Sequence, residues 1–593
     1  MARAILALAL LIQIVVGLYG IDQPIVWGHQ GFHVGEHGLA ARNLRRFGTW
    51  TPTRHSDPTP APDSSLSFHH PFLLHPYLAA TQALFGEAPW TARIIPLLFS
   101  LAAIIGLFAF ANRVRGPTTA AIAALAFVLT PLNLVFSHLL DHQIVALAFI
   151  MASMLGLRAM LARGSRAGAR VWLVGALLAG LTDWPWYPTA FLLFIGLAVA
   201  TLRGQLGPDR RRLAVLLGVF AAIVLFTFTQ HFVGAWLHHA FGDLGHAFGN
   251  RGNTSDAAEF FRVMLRRVRE LHTWPLVLSL VLWTLLALWR TVVLGRFDLG
   301  TLVILAITLG QTTHLARFPT EFMVHEYRSY WYVLPAAFAL GDLIAHVRGA
   351  VAGRLGRPRL ATALAVVLTV SALAPAMAID RAVVPKSREM AGSIMHPAYN
   401  ARRAMLTAAR LASQLSEPDD SLVVIGGGLR PRTEFYWLLD RRSRIFWRDS
   451  DVRAAQATGA HVWMVESTAA LQRNHAWRKL LAHAQVLVVD GYAVVDLRPD
   501  GPPSVESATR VEEPPYGPVG RWIHAPARGP SALRPVVDAA GRRFIEATAM
   551  GDAVRAAYEA QRRPLLQRLP ASMVTAPAAP EPAPPPPAPK EAP

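Results

Sequence analysis

The chain has 593 residues, of which 53% are hydrophobic and only 16% charged, with a formal net charge of +19. So apolar a composition at this length excludes an ordinary soluble protein and points to a polytopic membrane protein. Cysteine is absent, which excludes disulfides, thiolate metal ligands and a cysteine nucleophile.

The chain opens on "MARAILALALLIQIVVGLYG", a basic start followed by an apolar stretch. It shows no clear A-x-A cleavage site and many spans follow it, so it reads as a retained first helix rather than a signal peptide. A membrane crossing takes roughly 17–25 apolar residues. Runs near that length lie at 4–20, 90–112, 118–136, 142–162, 171–185, 187–203, 213–231, 274–294, 299–314, 330–347 and 360–379, about eleven spans on the hydropathy criterion. The amphipathic pieces at 34–47 and 72–86 are expected to lie as helices on the membrane surface.

Arginine sets the orientation. With the N-terminus inside, the inner connections hold Arg113 and Arg115, then Arg163, Arg166 and Arg170, then Arg203 and Arg210 to Arg212, then Arg290 and Arg296, then Arg348, Arg354, Arg357 and Arg359. Every short inner loop is then basic, as the positive-inside rule asks. The positive charge also suits an anionic lipid or phosphate partner; no nucleic-acid partner is expected. Residues 21–89, 232–273 and everything after about 380 fall outside. "RVMLRRVRELH" (Arg262–His272) is a basic amphipathic helix suited to anchoring at the lipid surface or to gripping a lipid phosphate.

Beyond residue 386 the character changes. "SLVVIGG", "RIFW", "HVWMVE", "VLVVD" and "YAVVDL" are short strand-like runs alternating with helical stretches, which reads as a small α/β domain outside the membrane. Gly426 to Gly428 follow a strand without dinucleotide or P-loop spacing, so a tight turn is expected. The domain reading is 1–385 for the membrane part and 386–500 for the α/β domain. A weakly structured extension follows at 501–575, with one helix near 535–567, and then a disordered proline- and alanine-rich tail at 576–593.

Several side chains can carry chemistry. His33-Val34-Gly35-Glu36-His37 fits H-x-x-E-H, an inverted zincin pattern. On a helix His33 and His37 share a face, and Glu36 can act on a metal-bound water. Gly35 and Gly38 each cost a helix roughly 1 kcal/mol against alanine, and no peptidase-like soluble domain surrounds the motif. His29, His33 and His37 recur every four residues. "VHEYRSYWYVLP" (Val324–Pro335) enters a span from outside, with Tyr330, Trp331 and Tyr332 as an aromatic belt.

Taken in order, "ARNLRRFGTW", His70-Pro71, "GEAPWTAR" (Gly86–Arg93), Asp141-His142-Gln143 and "HEYRSYWYVLP" resemble the membrane glycosyltransferases that use polyprenyl-phosphate sugars. These are the GT-C fold proteins that include protein mannosyltransferases, the aminoarabinose transferase of lipid A and rhizobial galacturonosyl transferases. The resemblance covers roughly residues 1–380 and, weakly, the outer domain. It implies a sugar transferase in a bacterial inner membrane, with the C-terminal domain on the periplasmic face. The donor would be a polyprenyl-phosphate-linked sugar, and the acceptor lipid A, a surface polysaccharide or a protein.

It further implies an outer-face carboxylate acting on the acceptor hydroxyl, basic groups neutralising the departing phosphate and, in some relatives, a divalent metal. Counting back from Arg42, the first-loop acid of this family falls near His33 or Gly31, and a second acid falls where Gln143 stands. Glu36, Asp141 or His33 is then the catalytic group, with Asp183 a further acid at a later outer turn. Otherwise the protein has become a catalytically silent polyprenyl-phosphate-binding or envelope-assembly protein; the zinc metallopeptidase is the third reading. Arg42, His70, His142, Gln143, Tyr327 and Arg328 are the expected substrate-binding residues. His69 and His239, the latter grouped with His231 and His238, are expected to hold a divalent zinc, magnesium or manganese ion.

Overall fold

The computed structural model describes residues 1–21, 29–49, 66, 68, 70–136, 138–205, 210–242, 245, 249, 257–295 and 298–389. Beyond them it describes the strands of one sheet and scattered helical positions between 405 and 548. The chain divides into two compact units, with the change between residues 402 and 403.

The first unit is helical. In order come α1 (Ala2–Leu18), α2 (His29–Phe47), α3 (Leu74–Phe85), α4 (Pro89–Val114), α5 (Pro117–Leu129), α6 (Pro131–Phe136), α7 (His142–Arg163), α8 (Arg166–Gly180), α9 (Trp186–Leu202) and α10 (Arg210–Leu237). Then follow α11 (Ala257–Arg267), a π-helical turn (Val268–His272), α12 (Trp274–Val292), α13 (Leu299–Arg317), α14 (Pro319–Val324), a 3-10 turn (Glu326–Tyr332), α15 (Val333–Leu355) and α16 (Pro358–Glu389). Each apolar run of the sequence falls on a helix. The run at 118–136 is broken into α5 and α6 at Thr130-Pro131, because the residue before a proline is pushed out of helical conformation. Among the described residues seven helices are long and apolar enough to cross a membrane, and α1, α5 and α9 are shorter apolar helices. The protein is a multi-pass membrane protein.

Local chemistry sets the helix ends. Proline opens α4 and α5, where its missing N–H costs nothing. Asp141, Ser165 and Asp298 accept backbone N–H groups at the starts of α7, α8 and α13. Between α7 and α8 the backbones come close: a Cβ on Gly156 would lie 2.4 Å from the Trp172 backbone nitrogen, and one on Gly175 would lie 2.8 Å from the Ser153 side chain. Small residues allow such an approach where lipid tails offer no hydrophobic drive. The Ser153 hydroxyl then donates to the Trp172 carbonyl at 2.8 Å.

The helix ends sort to two faces. On one, Arg115 between α4 and α5 pairs with Asp298 at the start of α13 and with Asp342 of α15. On the other, Arg93 near the start of α4 donates to the carbonyls of Gly20 and Ile21 just beyond α1.

The second unit holds a seven-stranded sheet in the order β2-β1-β3-β5-β4-β7-β6. Its strands are β1 (Ser421–Gly426), β2 (Arg442–Phe446), β3 (His461–Ser467), β4 (Gln485–Val489), β5 (Tyr492–Asp496), β6 (Ala532–Val537) and β7 (Arg543–Thr548); a short helix, α17 (Asp449–Gln456), precedes β3. β1 runs parallel to β2 and β3, β5 is antiparallel to β3 and β4, and β7 is parallel to β4 and antiparallel to β6. All five predicted strands are present. The helix expected near 535–567 is corrected at its start by β6 and β7. Pro535 disfavours a helix interior, while Val536, Val537, Phe544 and Ile545 favour strand. β6 is an edge strand, the place in a sheet where proline is tolerated.

Candidate functional site

Histidines from four segments meet where α2, α3 and α7 converge. α2 places His33 and His37 one turn apart, with His33 Nδ1 3.4 Å from His37 Nε2. His37 Nδ1 lies 3.1 Å from His75 Nε2 of α3, and His75 Nδ1 lies 3.1 Å from the Phe72 carbonyl. At the start of α7, the His142 ring stacks on His70 with centroids 4.9 Å apart and meets His37 edge-on at 5.0 Å.

The carbonyl of Phe72 orders this chain. A carbonyl only accepts, so His75 Nδ1 carries the proton. Burial, with His37 adding to it, pushes His75 down to about 3, so the ring is neutral and its Nε2 accepts from His37 Nδ1. When His37 is itself neutral, that turns the lone pair of its Nε2 toward His33 Nδ1. His33 Nε2 in turn lies 2.8 Å from the Tyr327 hydroxyl. If Tyr327 donates, His33 Nδ1 carries hydrogen toward His37. If Tyr327 accepts, two lone pairs face each other and ask for a cation between them.

The second arrangement fits a metal. Two nitrogens at roughly 2.0–2.1 Å from a tetrahedral zinc lie roughly 3.3–3.4 Å apart, and the observed gap is 3.4 Å. Asp141 completes a group with His33 and His37 whose ligand atoms all lie within 4.8 Å of one another. The outer ring nitrogens would then be held by Tyr327 and His75, as ligating histidines require.

Polar atoms without partners mark the start of α7. Asp141 Oδ1 caps the helix on the His142 N–H at 2.7 Å. Its Oδ2 and both amide atoms of Gln143 are buried and make no hydrogen bond among the described residues, and the buried His142 ring has the Thr182 backbone as its one hydrogen-bonding neighbour among them. Such a set is costly unless something binds it. Burial raises the Asp141 carboxyl to about 6, against the opposing pull of Arg328.

The segment from α14 to the 3-10 turn supplies the cation. Arg328 is 5% exposed. It pairs with Glu321 at 2.8 Å, donates to His70 Nε2 at 3.0 Å and lies 5.3 Å from the Tyr327 ring centroid. Its own carbonyl accepts from Gln311 of α13. Arg267, at the end of α11, donates to the carbonyls of Met323 and His325, and His272 lies 2.8 Å from the Ser329 hydroxyl.

Of the expected residues, the structure brings together His33, Asp141, His70, His142, Gln143, Tyr327 and Arg328. Glu36 is half-buried on α2 and acts on Asp141 and His75 through its charge. Arg42 is buried, but it is paired with Glu87 of "GEAPWTAR", so it ties α2 to the α3–α4 turn. Asp183 is committed to the Trp184 N–H and to the Trp331 indole. His69 lies outside the described residues. His239 stands exposed in a turn at φ 53, and among the described residues the grouped ligand atoms belong to His33, His37 and Asp141. His231 instead lies beside the Phe68 carbonyl and against Trp184. His75 and Glu321 escaped the sequence reading. The repeated His-Pro step in "HHPFLLHP" could have signalled His75, whereas nothing in the local pattern marks Glu321.

Comparisons with known proteins agree with this architecture. Residues 69–231 match the family model of dolichyl-phosphate-mannose-protein mannosyltransferase. The crystal structure of ArnT from Cupriavidus metallidurans bound to undecaprenyl phosphate is similar with a TM-score of 0.52 at 16% identity, covering 85% of this chain and 100% of that one. The apo oligosaccharyltransferase of Archaeoglobus fulgidus is similar with a TM-score of 0.52 at 13% identity, covering 80% and 70%. No curated protein matches in sequence. The fold is the GT-C fold that the sequence resemblance implied.

Proposed function

We propose that the protein is a membrane glycosyltransferase that moves a sugar from a polyprenyl-phosphate carrier to a hydroxyl of a lipid, glycan or protein outside the cytoplasm. The observation that carries this reading is the buried polar set at the start of α7 beside Arg328: Asp141 Oδ2 and the Gln143 amide, without partners among the described residues, and the His142 ring next to them. It occurs in a chain whose fold resembles that of a protein solved with undecaprenyl phosphate bound.

In this reading Asp141 Oδ2 takes the proton of the acceptor hydroxyl as its oxygen bonds to the anomeric carbon of the sugar. The bond from that carbon to the phosphate oxygen breaks, and the polyprenyl phosphate leaves as an anion. Arg328 counters the charge that develops, and His142 and Gln143 offer hydrogen bonds to the phosphate. His70 and Glu321 fix the guanidinium; the His75–His37–His33 chain fixes Tyr327. A divalent cation on His33, His37 and Asp141 would add positive charge for the leaving phosphate.

Purified protein incubated with labelled polyprenyl-phosphate sugars and a membrane extract tests the proposal. Asp141→Asn is expected to lower transfer roughly 10²–10⁴-fold, and Glu36→Gln to leave most of it. Full transfer by Asp141→Asn would remove the base assignment. A second reading, a silent lipid-phosphate binder, is favoured by His33 and Gln143 standing where the motif's acids are expected. Donor binding without transfer from any donor would support it.

A further inference from the structure

A cavity of about 420 Å³ lies at the Arg115 face of the helical unit, away from the histidines, between α1, α5, α15 and α16. Its size falls within the roughly 300–1,000 Å³ of small-molecule pockets. Ile5, Ile122, Leu125, Val366 and Val370 form apolar walls, and Arg348, Thr118, Thr362 and Thr369 bring polar side chains to it. Arg348 donates to the Thr118 hydroxyl at 2.9 Å and to the Thr362 hydroxyl at 3.4 Å.

Both partners are neutral, and Arg348 meets no carboxylate among the described residues. Arg115 on the same face is neutralised by two aspartates. The Arg348 guanidinium therefore brings an uncompensated charge, with N–H donors to spare, to an apolar cavity. A guanidinium fork suits phosphate oxygens.

The apolar side identifies the occupant. Val366 is 55% and Val370 61% exposed, on a helix apolar enough to span the membrane. The cavity therefore opens sideways, toward hydrocarbon rather than water. A ligand entering there has an acyl chain, and one that pairs with Arg348 has an anionic head.

We propose that this cavity binds one anionic glycerophospholipid from the leaflet at the arginine-rich face, its phosphate on Arg348 and an acyl chain along α5 and α16. The site is separate from the transferase centre and does not depend on transfer activity.

The test is native mass spectrometry of the full chain released from nanodiscs of phosphatidylcholine containing phosphatidylglycerol. One phosphatidylglycerol per chain should be retained in preference to phosphatidylcholine. Arg348→Gln should lower that retention about fivefold, the scale of one arginine's pull on an anionic lipid. Val366→Trp fills the cavity from an exposed position and should lower it as well, whereas Arg357→Gln, exposed on the same face, should not. Equal retention of the two lipids, unchanged retention in both cavity variants, or an equal loss in Arg357→Gln would overturn the proposal. Should Arg348→Gln fail to fold, the comparison of Val366→Trp with Arg357→Gln decides alone.

Discussion

Asp183 sits fully buried in the turn between α8 and α9, where its two oxygens accept from the Trp184 N–H and the Trp331 indole. Burial raises its carboxyl to about 7, outweighing the opposing pull of Arg328. A carboxyl whose folded pKa lies above its unfolded value of about 3.9 favours folding most at low pH. That contribution is complete below about pH 4 and is lost as the pH rises through about 7. The Tm of detergent-solubilised protein should therefore fall across this window, and Asp183→Asn should flatten the fall; parallel profiles would refute the assignment. The same residue shows what sequence can and cannot give at this scale. Asp141 and Asp183 both read as outer-face acids near a helix start, and both are buried. Only contacts made by distant segments separate them: Trp331 donates to Asp183, while Asp141 Oδ2 meets no donor among the described residues. His33 and Tyr327 were each visible as candidates, but their pairing across 294 residues leaves no local trace.

At the scale of elements, α11 and its π turn act on the segment that carries Tyr327 and Arg328. Two hydrogen bonds run from Arg267 to the carbonyls of Met323 and His325, and burial holds that guanidinium down to about 10. Charged hydrogen bonds of this kind contribute roughly 1.5–3 kcal/mol each. Arg267→Gln should therefore speed hydrogen–deuterium exchange across residues 319–332 while leaving α7 and α8 protected; uniform exchange would argue against a local clamp. The α7–α8 hairpin offers the opposite case. Gly156→Leu drives a side chain into the backbone at Trp172 and should cost roughly 1–3 kcal/mol or more, read as a lowered Tm. The membrane helices were legible because each needs a long apolar run that nothing else in the sequence imitates. β6 and β7 were missed because short segments carry weak periodicity and their pairing with β4 is non-local.

At the scale of the molecule, the two ends of the helical unit differ in chemistry: arginine-rich turns at one, the histidine cluster at the other. The sequence has no cysteine, so one introduced thiol is the sole label site. Arg357→Cys should react with an impermeant maleimide only after the cells are opened, and Thr49→Cys in intact cells whose outer barrier has been permeabilised. The reverse pattern would invert the orientation. The His33–Tyr327 contact also has a consequence for biogenesis. The ribosome adds roughly 5–20 residues per second, so the 294 residues between these partners take on the order of 15–60 s to appear. Until then α2 waits in the membrane with its histidines lacking their last neighbour. The pocket is therefore completed late in insertion, and a chain arrested before α14 should carry most of its spans yet retain no lipid phosphate.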